Sequence, residues 1–365
     1  MALASSFSRR VLLAMPACAS TLTGSSPGPK SQFRLDRVSN RCWAAIALPW
    51  ATVPQCNSAV FVGDEYVAVV DAQATVDCAR SLRLQIRNEI TEKPVRYVIL
   101  THHHMDHAHG AAAYGDTIIA SSQPTKELLR QQQPWFRDYS AYRNPVVRAN
   151  DQLSGYYEFL DSALLRGGRE LAVHGNASWA KYFEERRTVP IPLPSITFSG
   201  EFRIELGELE LRVSTVGSAH TAGDAIVYAP SEGAVATGDL LNSFEPLLFE
   251  AEIINWSKEL HQLASRDFRT VIPGHGQLQT GKNRLLMFTA YFDELHIRVS
   301  DGIEKGTTRE QLQQELTPIT IRALANGYGA ELRREYSFYN SAPLLLENAV
   351  RENVREMVRR LTIRN

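Results

Sequence analysis

The chain has 365 residues, 39 basic and 40 acidic side chains, and a formal net charge of −1, with 44% hydrophobic and 22% charged residues. This ordinary globular composition excludes collagen-like, coiled-coil and disordered classes, and a charge near zero argues against a nucleic-acid partner, which would call for a basic surplus. No apolar run of about 18 residues occurs, so no membrane span is expected, and four cysteines are too few for a disulfide scaffold.

Residues 1–35 read as an extension: they carry Arg9, Arg10, Lys30 and Arg34 but no acid. Ser8-Arg9-Arg10-Val11-Leu12-Leu13 is a twin-arginine pattern before a short apolar segment, and Ala17-Cys18-Ala19 fits a small-residue cleavage site. The expectation is a mature chain starting near Ser20, in the periplasm or secreted. An organellar transit peptide and a disordered extension on a cytoplasmic protein are the alternatives. Loss of Cys18 would leave Cys42, Cys56 and Cys78, of which Cys42 and Cys56 are open to pairing under oxidising conditions. No Cys-x-x-Cys arrangement points to thiol redox or cysteine-rich zinc chemistry.

From residue 36 to about 300 the pattern is that of one layered α/β domain. Short β-branched runs at Cys42–Leu48, Ser58–Val62 and Tyr66–Val70 predict strands. A helical period covers Val76–Ile90, and Val95–Leu100 reads as a buried strand. Thr117–Ala120 is a further strand. Residues 123–190 are polar, aromatic and helical in character, an insertion whose Trp135, Phe136, Tyr139, Tyr142, Tyr156, Tyr157 and Phe159 form either a local core or a wall over a site. Strands resume at Ile196–Phe198, Phe202–Leu206, Leu209–Thr215, Ala225–Ala229, Ala234–Thr237 and Thr270–Ile272, with a helix near Trp256–Ala264. Residues 301–365 read as a helical tail ending in Leu344–Leu361.

The chemistry is concentrated in the histidines, five of which fall between positions 102 and 109. His102, His104, Asp106 and His107 follow the Val95–Leu100 strand directly. Residues two apart in an extended segment share a side, so His102 and His104 can converge on one metal ion, and the turn after them swings Asp106 and His107 toward a neighbouring position. His103 should point the other way, and His109 has no assigned role. Later strands lead into Gly-bearing loops that offer His220, Asp239 and His275 at one sheet edge.

As a set, Thr101–His107 (THHHMDH), Gly217–Asp224 (GSAHTAGD), Ala236–Leu241 (ATGDLL) and Ile272–Gly276 (IPGHG), after Asp71 of VAVVDA, resemble the metallo-β-lactamase superfamily. The resemblance implies a four-layer αββα sandwich, here with a helical insertion and a helical C-terminal tail. It implies that His102, His104 and His220 hold one metal, that Asp106, His107 and His275 hold a second, and that Asp239 bridges them. Asp71 and Asp224 are expected in supporting roles. The β-lactamases proper usually place Cys or Ser at the Asp239 position, whereas Asp there is similar to lactonases, glyoxalase II and phosphodiesterases of the superfamily.

The function expected on this basis is a dinuclear metal-dependent hydrolase of an ester, lactone, thioester or related bond in a small molecule. Its cofactors would be two divalent ions, zinc first, with iron or manganese as alternatives for an oxygen-bridged pair. Two such ions about 3.5–4 Å apart share a hydroxide whose pKa falls to about 7. Asp106 is the candidate catalytic residue, orienting or deprotonating the attacking water. A mono-iron oxidoreductase of the persulfide-dioxygenase kind and a β-lactamase are the alternatives. No oligomeric state is read from the sequence.

Overall fold

The computed structural model describes residues 32–48, 55–137, 185, 188–242, 246–338 and 345–362. The twin-arginine segment, most of the 123–190 insertion with His174, and the side chains of its aromatics lie outside the described residues.

Strands β1 (Phe33–Arg37), β2 (Cys42–Ala47), β3 (Ser58–Val62) and β4 (Val67–Val70) form an antiparallel meander, in which Phe33 pairs with Ala47 and Ala59 with Val70. The fold therefore begins before residue 36, because β1 starts inside the segment read as an extension. Its Phe33-Arg-Leu-Asp-Arg37 sequence alternates apolar and charged residues, and an Arg34–Asp36 ion pair at 2.7 Å hid its strand character. Helix α1 (Val76–Gln85) follows, capped by the Thr75 hydroxyl on Cys78 N–H and prolonged by a π-helical turn over Ile86–Ile90. It crosses to β5 (Val95–Ile99), which lies parallel to β4, and β6 (Ile118–Ser122) and β7 (Ile196–Phe198) extend the sheet in parallel. Between these strands stand the short helix α2 (Met105–Ala108) and α3 (Gln123–Arg137), which forms the start of the insertion.

The second sheet runs β8 (Glu201–Leu206), β9 (Leu209–Gly217), β10 (Asp224–Ala229) and β11 (Ala234–Gly238), antiparallel throughout. Helix α4 (Ile253–Ser265) then leads to β12 (Thr270–Pro273), parallel to β11, and β13 (Gln279–Thr280) closes the edge. After it come α5 (Asn283–Glu304), α6 (Arg309–Glu315), α7 (Gly329–Phe338) and α8 (Leu345–Thr362).

Period-two alternation explains the layering. In β3, Ala59 and Phe61 join the core between the sheets, with Ile99, Leu211, Val213 and Val227, while Val60 and Val62 face α1. On the far side, Val235 and Ile226 meet the helices, where Trp256, Phe288, Phe292 and Tyr291 are fully buried. Each such side chain contributes about 1.5–3 kcal/mol. In α5 the buried positions Leu285, Phe288, Phe292, Leu295 and Val299 repeat every three or four residues, the stripe that seats a helix on a sheet. The order is helix, sheet, sheet, helix: a four-layer αββα sandwich. The described part of the segment read as a tail, 301–338 and 345–362, shares this outer core, since Leu312, Val350, Val354 and Met357 belong to one buried cluster with Trp256.

Two hydrogen bonds stitch the sheets along one edge, Ala225 N–H to Thr101 O at 2.9 Å and Asn57 N–H to Gly274 O at 2.7 Å. The loops after β4, β5, β9, β11 and β12 emerge there. Among the described residues no helix is long and apolar enough to cross a membrane. Cys42, Cys56 and Cys78 are buried and joined by no disulfide, so the Cys42–Cys56 pairing is not formed.

Candidate metal centre

The stitched edge brings all seven singled-out residues together. His102, His104, His220 and Asp239 form one group of side-chain donors within 4.8 Å of one another, and Asp106, His107 and His275 form a second. His220 Nε2 lies 3.2 Å from His104 Nδ1, and His107 Nε2 lies 3.3 Å from His275 Nε2. Asp239 stands between the groups. Its Oδ1 is 3.4 Å from His107 Nε2 and 3.5 Å from His275 Nε2, while its Oδ2 is 3.7 Å from His220 Nε2.

The outer ring nitrogens decide what the inner ones present. A backbone carbonyl only accepts, so His220 Nδ1–H donates to Leu247 O at 3.2 Å and His275 Nδ1–H donates to Gln55 O at 3.1 Å. Thr101 Oγ1 donates to Asp71 Oδ2 at 2.8 Å and therefore accepts from His102 Nδ1 at 3.0 Å. His107 Nδ1 is 2.8 Å from the same Asp71 oxygen, and His104 Nε2 faces Glu250 Oε1 at 3.5 Å. Each imidazole, when neutral, thus turns a lone pair inward. Converging lone pairs repel one another unless a cation lies between them, and the buried His102 Nε2 makes no hydrogen bond. The donor set fits divalent ions bound by nitrogen and oxygen.

The backbone is shaped for this convergence. Asp71 and Gln73 hold positive φ angles of 64° and 76°, a cost that tolerant Asp can bear. The turn they make lets Ala72 N–H bond His107 O at 2.6 Å, pinning the histidine loop. Gly274 has no side chain because a Cβ there would overlap Asp239 Oδ1.

A family model described as the metallo-beta-lactamase superfamily matches residues 51–275. The chain belongs to that superfamily. Its fold is similar to the metallo-beta-lactamase FIM-1 from Pseudomonas aeruginosa in its mono-zinc form, at 15% identity and TM-score 0.50 over 73% of this chain and 97% of that one. The DIM-1 metallo-beta-lactamase is 16% identical, at TM-score 0.50 over 72% of this chain and 97% of its own. A metallo-beta-lactamase from Pontibacter korlensis is 16% identical at TM-score 0.49, over 71% and 99%. At such identities the likeness concerns the fold of this superfamily member and not its substrate.

Asp71 and Asp224 stand behind the donors. Asp71 accepts from Thr101 N–H, the Thr101 hydroxyl and His107, and Asp224 accepts from Thr221 N–H at 2.8 Å and Thr221 Oγ1 at 2.6 Å. His103 points away from both groups, with Nε2 3.4 Å from Glu250 Oε2. The nitrogens of His109 face the carbonyls of Ala74 and Val189 at 3.2 and 3.4 Å.

Sequence reasoning missed Glu250, Gln55 and Asn57. Asn57 Nδ2 donates to Pro273 O and Gly276 O, both at 2.9 Å, and so holds the turn that carries His275. Glu250 spans His103 and His104. A carboxylate inside the apolar run Leu247-Leu-Phe-Glu-Ala251 was the signal available for it, since such a charge needs a buried partner.

The two groups differ electrostatically. Burial and the neighbouring imidazoles hold His102 well below the usual histidine range, and burial pulls His220 down to about 3. Burial also opposes charge on His107 and His275, but the surrounding acidic side chains, Asp106 and Asp239 among them, outweigh it and raise both. A metal ion must therefore displace protons from His107 and His275 but not from His102 or His220. As pH falls, metal bound by the Asp106–His107–His275 group should be lost before metal bound by the His102–His104–His220 group. Equilibrium dialysis between about pH 8 and about pH 5 checks this. Simultaneous loss of both ions would contradict the asymmetry.

Proposed function

We propose that this superfamily member is a dinuclear metal-dependent hydrolase acting on an ester, lactone, thioester or related bond of a small molecule. The observation that carries the reading is Asp239, whose two oxygens face two separate histidine groups. His102, His104 and His220 would hold one ion, Asp106, His107 and His275 the other, with Asp239 shared. Zinc suits this nitrogen and oxygen set, with iron or manganese as alternatives. When bound, the ions would supply a nucleophilic water near neutral pH and polarise the carbonyl or phosphoryl oxygen of the substrate, making its carbon or phosphorus more electrophilic.

The chain's own residues contribute position. Asp106 and His275 are the members with appreciable exposure, 19% and 18% at the side chain, so substrate and water approach from their side. Asp106 Oδ2 lies 3.0 Å from His275 Nε2. Although burial works against its charge, His107 and His275 hold the carboxyl ionised, well below the usual range. An ionised carboxylate at the opening can orient an incoming water by accepting a hydrogen bond from it. A covalent cysteine route is disfavoured, because burial pushes the Cys56 thiol up to about 12 despite the nearby His107.

The test couples metal content to a substrate panel. Purified protein should carry two ions and hydrolyse at least one lactone, thioester, ester or phosphodiester faster than a β-lactam. One iron per chain with thiol-dependent oxygen uptake would instead favour the persulfide-dioxygenase-like alternative, and preferred β-lactam turnover the β-lactamase one.

A further inference from the structure

Behind the buried histidines runs a segment, residues 246–250, that none of the sequence motifs includes. Leu247 O accepts from His220 Nδ1 at 3.2 Å, and the Glu250 carboxylate faces His104 Nε2 at 3.5 Å. The Phe249 ring stacks on His104, with centroids 5.3 Å apart and planes at 27°. One short stretch thus sets the ring orientation and tautomer of two of the three histidines of the first group.

That stretch is held from the far end of the chain. The Phe249 carbonyl accepts from Arg359 Nη2 at 2.8 Å and from Arg360 Nη2, two charged donors on one oxygen from the last turns of α8. Helix α8 is itself fixed. Val350, Val354 and Met357 are buried against the α4–α5 core, and Asn353 Nδ2 donates to Tyr291 Oη at 3.1 Å inside it. Glu356 braces Arg359 at 2.8 Å. The Arg360 guanidinium is half-buried, and Glu250 is among the carboxylates that offset its burial. All of α8 lies outside residues 51–275, which the family model matches.

We propose that α8 is a positioning element of the metal centre: Arg359 and Arg360 grip the Phe249 carbonyl and thereby hold Leu247 O on His220 and Glu250 on His104. The proposal rests on reading His102, His104 and His220 as one ligand set. It gives this helix a task beyond covering the sheet, and places that task 83 residues from the nearest ligand motif, counted from Gly276 to Arg359.

Cobalt(II) titration of the full chain, in competition with a chelator and followed by absorption, tests it. In a His275→Ala background, which leaves the first group to be read by itself, Arg359→Ala with Arg360→Ala should weaken cobalt binding by at least about 10-fold, the scale for losing a partner behind a ligand. The absorption bands should shift as the ligand geometry relaxes, and the Arg359→Lys, Arg360→Lys pair should recover most of the loss. If the alanine pair does not fold, Glu250→Gln reads the same connection, replacing the charged group that faces His104 with a neutral amide at nearly constant size, and should weaken binding similarly. Unchanged affinity and bands in the folded variants would overturn the proposal. Wild-type protein that takes up no cobalt would overturn the metal-centre reading itself, so the two failures are separable.

Discussion

Replacing His102 or His220 with alanine should remove one ion and reduce hydrolysis by at least about 10³-fold, the upper range for losing a preorganised electrostatic contributor. Both imidazoles are fully or almost fully buried, but each gives the fold few hydrogen bonds. His102 Nε2 makes no hydrogen bond, and its Nδ1 partner, the Thr101 hydroxyl, retains Asp71. His220 donates to Leu247 O on its outer side, and its inner nitrogen faces His104 Nδ1 and Asp239 Oδ2, while its ring packs edge-on to Trp256. The cost therefore falls on metal binding. Elemental analysis of the purified variants should give about one ion per chain in place of two, with circular dichroism unchanged. His261→Ala serves as control, because that side chain is exposed and pairs with Asp293 on the helical face. Full metal content and full rate in either variant would dismiss the ligand assignment.

The site is most legible in the sequence where its chemistry is local. The THHHMDH segment needs only an extended chain and one turn to present its donors, and both follow from a strand whose buried end is Val98 and Ile99, the first three residues being more exposed than a buried strand would have them. His220, Asp239 and His275 were legible for the same reason, each lying just past a short apolar strand. What surrounds them was not. Asn57 reaches the turn carrying His275 across more than two hundred residues, and Arg359 reaches Phe249 across 110. Such partners are chosen by the meeting of layers, and nothing in their own neighbourhood marks them. Strand β1 escaped because Arg34 and Asp36 give it a linker's composition, and β13 because two residues carry no period. The tail was recognisable as helix from its apolar stripe, yet a stripe does not say which core will receive it.

Asp239→Asn is the variant that separates a two-ion site from a simpler one. The carboxylate has little freedom to evade the change: Gly274 approaches Oδ1 so closely that a Cβ would overlap it, and the side chain is buried. Asparagine keeps the size, but one end becomes an amide NH2 that cannot bind a cation, and the shared negative charge is gone. In the metal-free protein the ionised carboxylate is held well below the usual range by His275, His107 and His220 in spite of its burial. Without that charge the Asp106–His107–His275 group loses an anion at 3.4 and 3.5 Å, and it is also the group whose histidines must first give up protons. The expected result is a stoichiometry near one, with the His102–His104–His220 group still filled, and a kcat lower by at least about 10²-fold. The thermal unfolding midpoint of the metal-free variant should fall near neutral pH, because the ionised carboxylate and the histidines it holds protonated stabilise one another in the fold, and asparagine removes one partner of that buried set. Metal analysis and steady-state kinetics on the same preparation check both halves. Two retained ions and a near-normal rate would make Asp239 a loop carboxylate of structural purpose only. The two histidine groups would then have to hold their ions without a shared oxygen.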